Sequence, residues 1–202
     1  MPVDLFPERI ETERLELTAL TDDTVDVHEL FRVCSPHEPD IDEATEYVSW
    51  TPHATPKETA AFVESATAKR REGEGAEYVI RPRTGEEGAG DLAGTTGLTL
   101  DWDRRLGTLG VWLRKRFWGR GYSGERAAAM LELAFETLEL EVVAVFHDVD
   151  NENSRRAIEK YVAAHGGRHE GRLRNGYTGV DGPVDVERYS VTRAEYEAAR
   201  PR

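Results

Sequence analysis

Apolar residues recur along the 202-residue chain at two different spacings, and the switches between them mark out its elements. Leu15, Leu17 and Ala19 alternate with polar neighbours, the period-two signature of a half-buried strand. Val25 to Cys34 reads as a short helix, ended by Ser35-Pro36-His37-Glu38-Pro39. Residues 35–54 then form a long irregular connection carrying His37, Trp50 and His53, and connections of that length in compact domains tend to carry function. Thr55-Pro56-Lys57-Glu58 joins a capping box to a proline at the first helical position, so a helix begins there and runs to about Arg71.

Glu77 to Arg81 and Leu92 to Leu100 read as strands on either side of a glycine-rich turn at 84–90, and Leu106 to Leu113 as a third after the turn at 101–105. Together they form an antiparallel meander. Ala127, Met130, Leu131, Ala134, Phe135 and Leu138 then recur at helical spacing with Glu132 and Glu136 opposite, which makes Gly121 to Leu138 an amphipathic helix. Val142 to Phe146 is a continuous apolar run, hence a buried strand. Ser154 to His165 is a further helix, followed by strands near Arg168 to Arg174 and Val186 to Thr192. No internal repeat interrupts this order. A strand, glycine loop, helix, strand and helix placed after a meander predict one mixed α/β domain, a mostly antiparallel sheet flanked by helices.

Composition adds an unusual charge balance. Asp and Glu number 39 against 26 Lys and Arg, for a formal net charge of -13, and lysine occurs only at Lys57, Lys69, Lys115 and Lys160. Leu, Ile, Val and Phe make up roughly a fifth of the chain, just above the fraction at which highly charged chains tend to be disordered. Excess carboxylate, scarce lysine and a modest core suggest adaptation to high salt, where a Debye length of about 3 Å removes the cost of surface repulsion. An acidic surface that attracts cationic amines is the competing explanation. The single Cys34 excludes a disulfide framework or a cysteine zinc site. The histidines lack metal-ligand spacing, so no metal is expected. The Met1-Pro2-Val3-Asp4 start and the lack of a long apolar run suggest a soluble cytoplasmic protein, and the acidic balance speaks against nucleic acid.

Against this acidity, residues 114–126 set Arg114, Lys115, Arg116, Arg120 and Arg126 around Gly119, Gly121 and Gly124. A basic island with glycines before an amphipathic helix is a candidate pyrophosphate site, because the backbone can approach closely and the helix start offers free N–H groups. Gly119-Arg120-Gly121-Tyr122-Ser123-Gly124 also satisfies the dinucleotide pattern G-x-G-x-x-G, with Asp148 as a candidate ribose acid. That motif belongs directly after a strand, and here Arg114 to Trp118 intervene after Val111-Trp112-Leu113.

Arg116-x-x-Gly119-x-Gly121 resembles instead the acetyl-CoA pyrophosphate loop of the GNAT acetyltransferases, R/Q-x-x-G-x-G/A. Further on, Asn151-x-x-Ser154 with Glu159-Lys160 resembles the helix start and E-K pair of the RimJ/RimL branch of that superfamily. Ile10 to Leu17 resembles the branch's opening strand, and Trp50 to Val63 its second-helix region. Four motifs in order cover roughly residues 8 to 193 of a single domain spanning 1–202.

The resemblance implies the GNAT acyl-CoA fold and acetyl transfer from acetyl-CoA to a primary amine, either a protein N-terminal α-amine or a small molecule, in a possible homodimer. It implies that Val111, Trp112 and Leu113 offer free amides to the acetyl group and pantetheine arm. The loop amides from Arg116 to Gly121, Gly119 among them, would hold the pyrophosphate with Arg114, Arg116 or Arg120 adding charge, Trp118 and Tyr122 would also touch the cofactor, Asn151 would contact the pantetheine, and Ser154 would protonate the leaving thiolate. Asn151 and Ser154 are also ordinary helix caps. The chain departs from the family at two places: Ile158 stands where many members carry a tyrosine acid, and Thr108 where RimL-like chains often have a glutamate base. His147 at a strand end is the candidate base, its ordinary pKa near 6.5 suiting the task, with Glu43, Glu46 or a water as alternatives. These departures keep open a second class of function, a non-catalytic acyl-CoA-binding module or sensor.

Overall fold

The computed structural model describes residues 5–200, so the Met1 to Asp4 start lies outside the described residues. Among these residues eight strands, β1 (Arg9–Glu11), β2 (Leu15–Ala19), β3 (Gly75–Pro82), β4 (Gly94–Asp101), β5 (Leu106–Leu113), β6 (Val142–Asp148), β7 (Arg168–Gly179) and β8 (Gly182–Thr192), form one sheet. Their order is β1-β2-β3-β4-β5-β6-β8-β7. Every pair is antiparallel except β5 with β6. This is the mixed, mostly antiparallel sheet expected from the sequence.

Six α-helices among the described residues cover the two faces: α1 (Val27–Cys34), α2 (Ile41–Thr45), α3 (Pro56–Arg71), α4 (Tyr122–Glu132), α5 (Glu152–Ala164) and α6 (Arg193–Ala199). Strand alternation divides the core accordingly. Leu15, Leu17, Tyr78, Ile80, Leu98 and Leu109 pack with Met130, Leu131 and Ile158 of α4 and α5. On the other face Leu20, Val79 and Trp112 pack with Leu30 of α1 and Val63 and Ala66 of α3. No helix among the described residues is long and apolar enough to cross a membrane.

Several expectations change in detail. The connection 35–54 is not wholly irregular, since Ile41–Thr45 forms α2 with Ile41 and Thr45 buried. Thr55 starts α3 without a side-chain cap bond, and the expected capping box does not form: Glu58 Oε2 accepts instead from the N–H of Ala54, one residue before the cap, at 2.9 Å. The helix after the glycine loop loses its α-geometry at Leu133, where a π-turn over Leu133–Thr137 completes it. The last two strands are longer than their apolar patterns and meet in a hairpin, Thr178 opposite Pro183.

The feature that positions the site is short. β5 pairs with β6 only over Leu106 to Thr108 against Val142 to Ala144. Beyond that point β5 stays with β4 and β6 stays with β8, so the sheet opens between Leu109–Leu113 and Val145–Asp148.

Candidate active site

In an antiparallel pair, successive residues turn their N–H and C=O groups alternately toward and away from the partner strand. The bond from Arg114 N to Ala93 O at 2.9 Å sets the phase for β5, and even-numbered residues address β4. Arg105 O, facing the other way, accepts from Glu141 N at 2.8 Å. Leu109, Val111 and Leu113 therefore turn their backbone groups into the opening. Trp112 does not: it is paired with Thr95 of β4, and its side chain is buried on the opposite face. Of the expected trio, Val111 and Leu113 offer amides. Trp118 closes the mouth beside them, its indole Nε1 donating to Leu113 O at 2.8 Å.

Past the 3-10 turn Lys115–Phe117, Gly119 and Gly121 adopt φ of 75° and 81°, the left-handed region that a side chain disfavours. The two turns leave the N–H groups of Gly119 to Ser123 without a backbone acceptor among the described residues, and the last two are the first amides of α4. A run of amides at a helix start is an anion site. Tyr122 contributes only its N–H, because its buried phenol donates to Glu86 Oε2 at 2.7 Å.

Glu125 on the first turn of α4 holds this corner to the β1–β2 turn. It accepts from Thr12 Oγ1 at 2.6 Å, from Arg14 N at 2.7 Å and from Arg14 Nε at 2.7 Å, while Arg14 Nη1 donates to Arg120 O at 2.9 Å. Burial would raise the Glu125 carboxyl, but the bonds from Thr12 and Arg14 and the Arg14 charge outweigh it and hold the group below its ordinary value. A depressed folded-state pKa stabilises above the unfolded value of about 4.3 and is lost as pH falls through the folded one. Glu125→Gln is accordingly expected to lower stability at pH 7, with the gap to wild type closing below about pH 4, as thermal melts across that range would show.

The basic island is largely neutralised within the protein. Arg114 is the most enclosed of the loop arginines expected at the cofactor: its Nε and Nη2 donate to Glu38 at 2.6 and 2.8 Å, its Nη1 donates to Leu92 O, and the pair is 12% and 9% exposed. Lys115 pairs with the carboxylates of Asp40 and Glu43. Arg116 and Arg120 lie over the Phe117 ring and pair with the exposed Asp91 and Glu87. Arg126 is fully buried. The amides, rather than the guanidinium groups, are what the loop leaves unpaired.

Across the opening, Asn151 caps α5, its Oδ1 accepting from Ser154 N at 2.9 Å. Ser154 is thus the residue capped, and its hydroxyl is not needed for the cap. His147 is where the structure departs most from expectation. Val145 and His147 share the face that carries Tyr189, packed against α5. The imidazole is 4% exposed, stacked 5.7 Å from Tyr189, with Nδ1 donating to Asp148 O at 2.7 Å and Nε2 buried without a partner. A ring so enclosed cannot meet an incoming substrate, and His147 is not placed as a base.

Residues 14–161 match the family model described as the acetyltransferase (GNAT) domain. The chain belongs to the GNAT acetyltransferase family. YdaF of Bacillus subtilis strain 168, provisionally named a ribosomal N-acetyltransferase, is 33% identical over 112 residues. That stretch covers 55% of this chain and 59% of YdaF, so the match spans little more than half the length of the relative. A structure from T. thermophilus, named provisionally as an acetyltransferase, is 27% identical with a TM-score of 0.70, covering 96% of this chain and 94% of that one. RimL, an L7/L12 α-N-protein acetyltransferase solved with coenzyme A, shares the fold at 18% identity and a TM-score of 0.74, with coverage of 92% and 98%.

In this GNAT chain the face opposite α4 and α5 lines the other side of the opening with aromatic rings. Trp50 meets Trp112 edge-on at 5.3 Å and lies 5.6 Å from His53. Phe146, turned away from α5 by strand alternation, packs 5.3 Å from Tyr177 of β7. Burial first, then Glu46 and the charges of Asp150 and Asp148, hold the Tyr47 phenol above its ordinary range. Cys34 is no nucleophile: burial and the Glu38 charge push its thiol up to about 12.

Proposed function

We propose that this protein transfers the acetyl group of acetyl-CoA to a primary amine, at the opening between β5 and β6. The observation that carries the reading is two groups of amides without backbone acceptors among the described residues, Val111 and Leu113 at the opening and Gly119 to Ser123 at the start of α4. Their order along the chain fits the acyl, pantetheine and pyrophosphate parts of one extended donor. Acetyl-CoA supplies an already activated thioester, so the chain's task is to hold the partners in line and stabilise charge at the acyl oxygen. Val111 N–H meets that oxygen. Arg116 and Arg120 exchange their exposed carboxylate partners for phosphate oxygens, and the free Nδ2 of Asn151 donates to the pantetheine arm. The Ser154 hydroxyl gives its proton to the departing thiolate. With His147 enclosed, Glu46 or Asp148, near Tyr47 on the aromatic face, receives the ammonium proton.

The acceptor is a protein N-terminal α-amine or a small-molecule amine; the names of YdaF and RimL favour the former. We infer a single GNAT domain across 1–202 acting in the cytoplasm, as a homodimer and without nucleic acid. Thermal unfolding with acetyl-CoA, CoA or NADH tests the donor, since a ligand of the folded state raises stability by RT ln(1 + [L]/Kd). Both CoA species are expected to stabilise and NADH is not; stabilisation by NADH alone overturns the reading. A panel of amines with thiol release then tests transfer.

The second reading, an acyl-CoA-binding module without catalysis, draws on the enclosed His147 and on Thr108 in place of a glutamate. Ser154→Ala separates the two. A catalyst is expected to lose about tenfold or more in rate with acetyl-CoA affinity retained, whereas a sensor shows no amine-dependent thiol release in either form.

We also propose that the acidic surface is an adaptation to high salt. Stability and activity are then expected to rise from dilute buffer to molar potassium chloride. Equal values in both sink the idea.

A further inference from the structure

Arg126 is the largest fully buried side chain among the described residues and is paired with no carboxylate among them. Its Nε makes no well-formed hydrogen bond, and its guanidinium lies 5.6 Å over the ring of Tyr161, whose buried hydroxyl interacts with it without reaching good hydrogen-bond geometry. A charge in such a place is ordinarily excluded by desolvation. The acceptors Arg126 does reach are neutral: Nη1 lies 3.3 Å from Gly110 O and 3.3 Å from Thr96 Oγ1. Thr96 passes the interaction on, its hydroxyl donating to the same Gly110 O at 2.8 Å. Gly97 of β4 is the ladder partner of Gly110. A buried hydroxyl and a buried cation thus converge on one carbonyl that already faces a paired strand.

That carbonyl is not an arbitrary one. Gly110 C=O and Val111 N–H belong to one planar, conjugated peptide group, and the N–H end faces the opening between β5 and β6. Hydrogen bonds in series polarise one another, so donors at the carbonyl end make the N–H end a stronger donor, the more so when one of them is charged. We propose that Arg126 and Thr96 are positioning residues that polarise and orient the Gly110–Val111 peptide, strengthening the Val111 N–H as donor to the acyl oxygen. The inference rests on the reading that Val111 meets that oxygen. It explains why a cation is kept beneath the site with no counter-ion: the charge acts through a peptide on negative charge that arises only during transfer.

The test is isotope-edited infrared spectroscopy of acetyl-CoA labelled with 13C at the thioester carbonyl, bound to wild type, Thr96→Val and Arg126→Met in the absence of amine. On wild type the carbonyl band is expected to lie below its position in free acetyl-CoA. Thr96→Val, which keeps the side-chain shape, is expected to reduce that displacement by roughly a tenth to a third, and Arg126→Met to reduce it further, with dissociation constants close to wild type. A purely structural role for these residues changes melting temperature or affinity and leaves the band of bound ligand in place, so an unmoved band in Thr96→Val overturns the inference while the acetyl-CoA reading stands. Failure of wild type to bind acetyl-CoA removes both. If Arg126→Met does not fold, Thr96→Val decides alone.

Discussion

Gly119→Val is expected to weaken acetyl-CoA binding by at least about a hundredfold, the equivalent of two lost charge-assisted hydrogen bonds, while the protein remains folded. Gly119 holds φ at 75°, and a β-branched residue there costs on the order of 1–2 kcal/mol. A Cβ at this position meets nothing within 4 Å, so the strain is confined to the loop backbone. The loop relieves it by rotating its peptide planes, which turns the amides of Gly119 to Gly121 out of their common direction. Gly121 is a less clean choice, because its Cβ would also press on Arg14 Nη2 at 3.3 Å and disturb the anchor from Arg14 to Arg120. Calorimetric titration with acetyl-CoA, paired with a thermal melt, measures both sides. Undiminished affinity in a folded variant would remove the loop from the donor site.

The second large effect is on stability. Glu38→Ala is expected to cost about 3–5 kcal/mol, because it strands a nearly buried guanidinium, with a fall in melting temperature on the order of 10 °C for a domain of this size. The paired variant Arg114→Met with Glu38→Leu is expected to recover most of the loss, since the penalty lies in the unpaired charge and two apolar chains of similar volume carry none. Lys115→Ala, which breaks only the exposed contacts to Asp40 and Glu43, is expected to change stability by less than about 1 kcal/mol. Denaturant unfolding of the four proteins side by side checks the series. Equal losses in Glu38→Ala and the paired variant would show that packing around Arg114, and not its charge, sets the cost.

What is legible in the sequence follows the range of the interactions involved. Strand β5, from Leu106 to Leu113, and helix α3, from Pro56 to about Arg71, match their readings because consecutive residues mark each, apolar residues bounded by turns for β5 and a proline at the first helical position for α3. Helix α2 escapes the pattern, since Ile41-Asp42-Glu43-Ala44-Thr45 is too short and too polar to show a period. The side of the sheet that His147 occupies is hidden for the opposite reason: Val142 to Phe146 is apolar at every position, so the run carries no alternation to extend to His147. Arg126 does leave a signal. It stands four residues before Met130 on the apolar stripe of α4, a core-facing place for a cation.

The chain by itself determined the glycine loop, its place between a strand and an amphipathic helix, and hence the family and the kind of ligand, because left-handed turns and free helix-start amides are local properties of a few consecutive residues. Only the tertiary structure decided where β5 and β6 part, that Arg114 answers Glu38, that Glu125 ties α4 to Thr12, and that His147 is buried against Tyr189. Arg114 and Glu38 lie 76 positions apart, and Glu125 and Thr12 lie 113 apart. Their meeting depends on strand order and on which face each alternation presents, and neither is written in any short stretch of sequence.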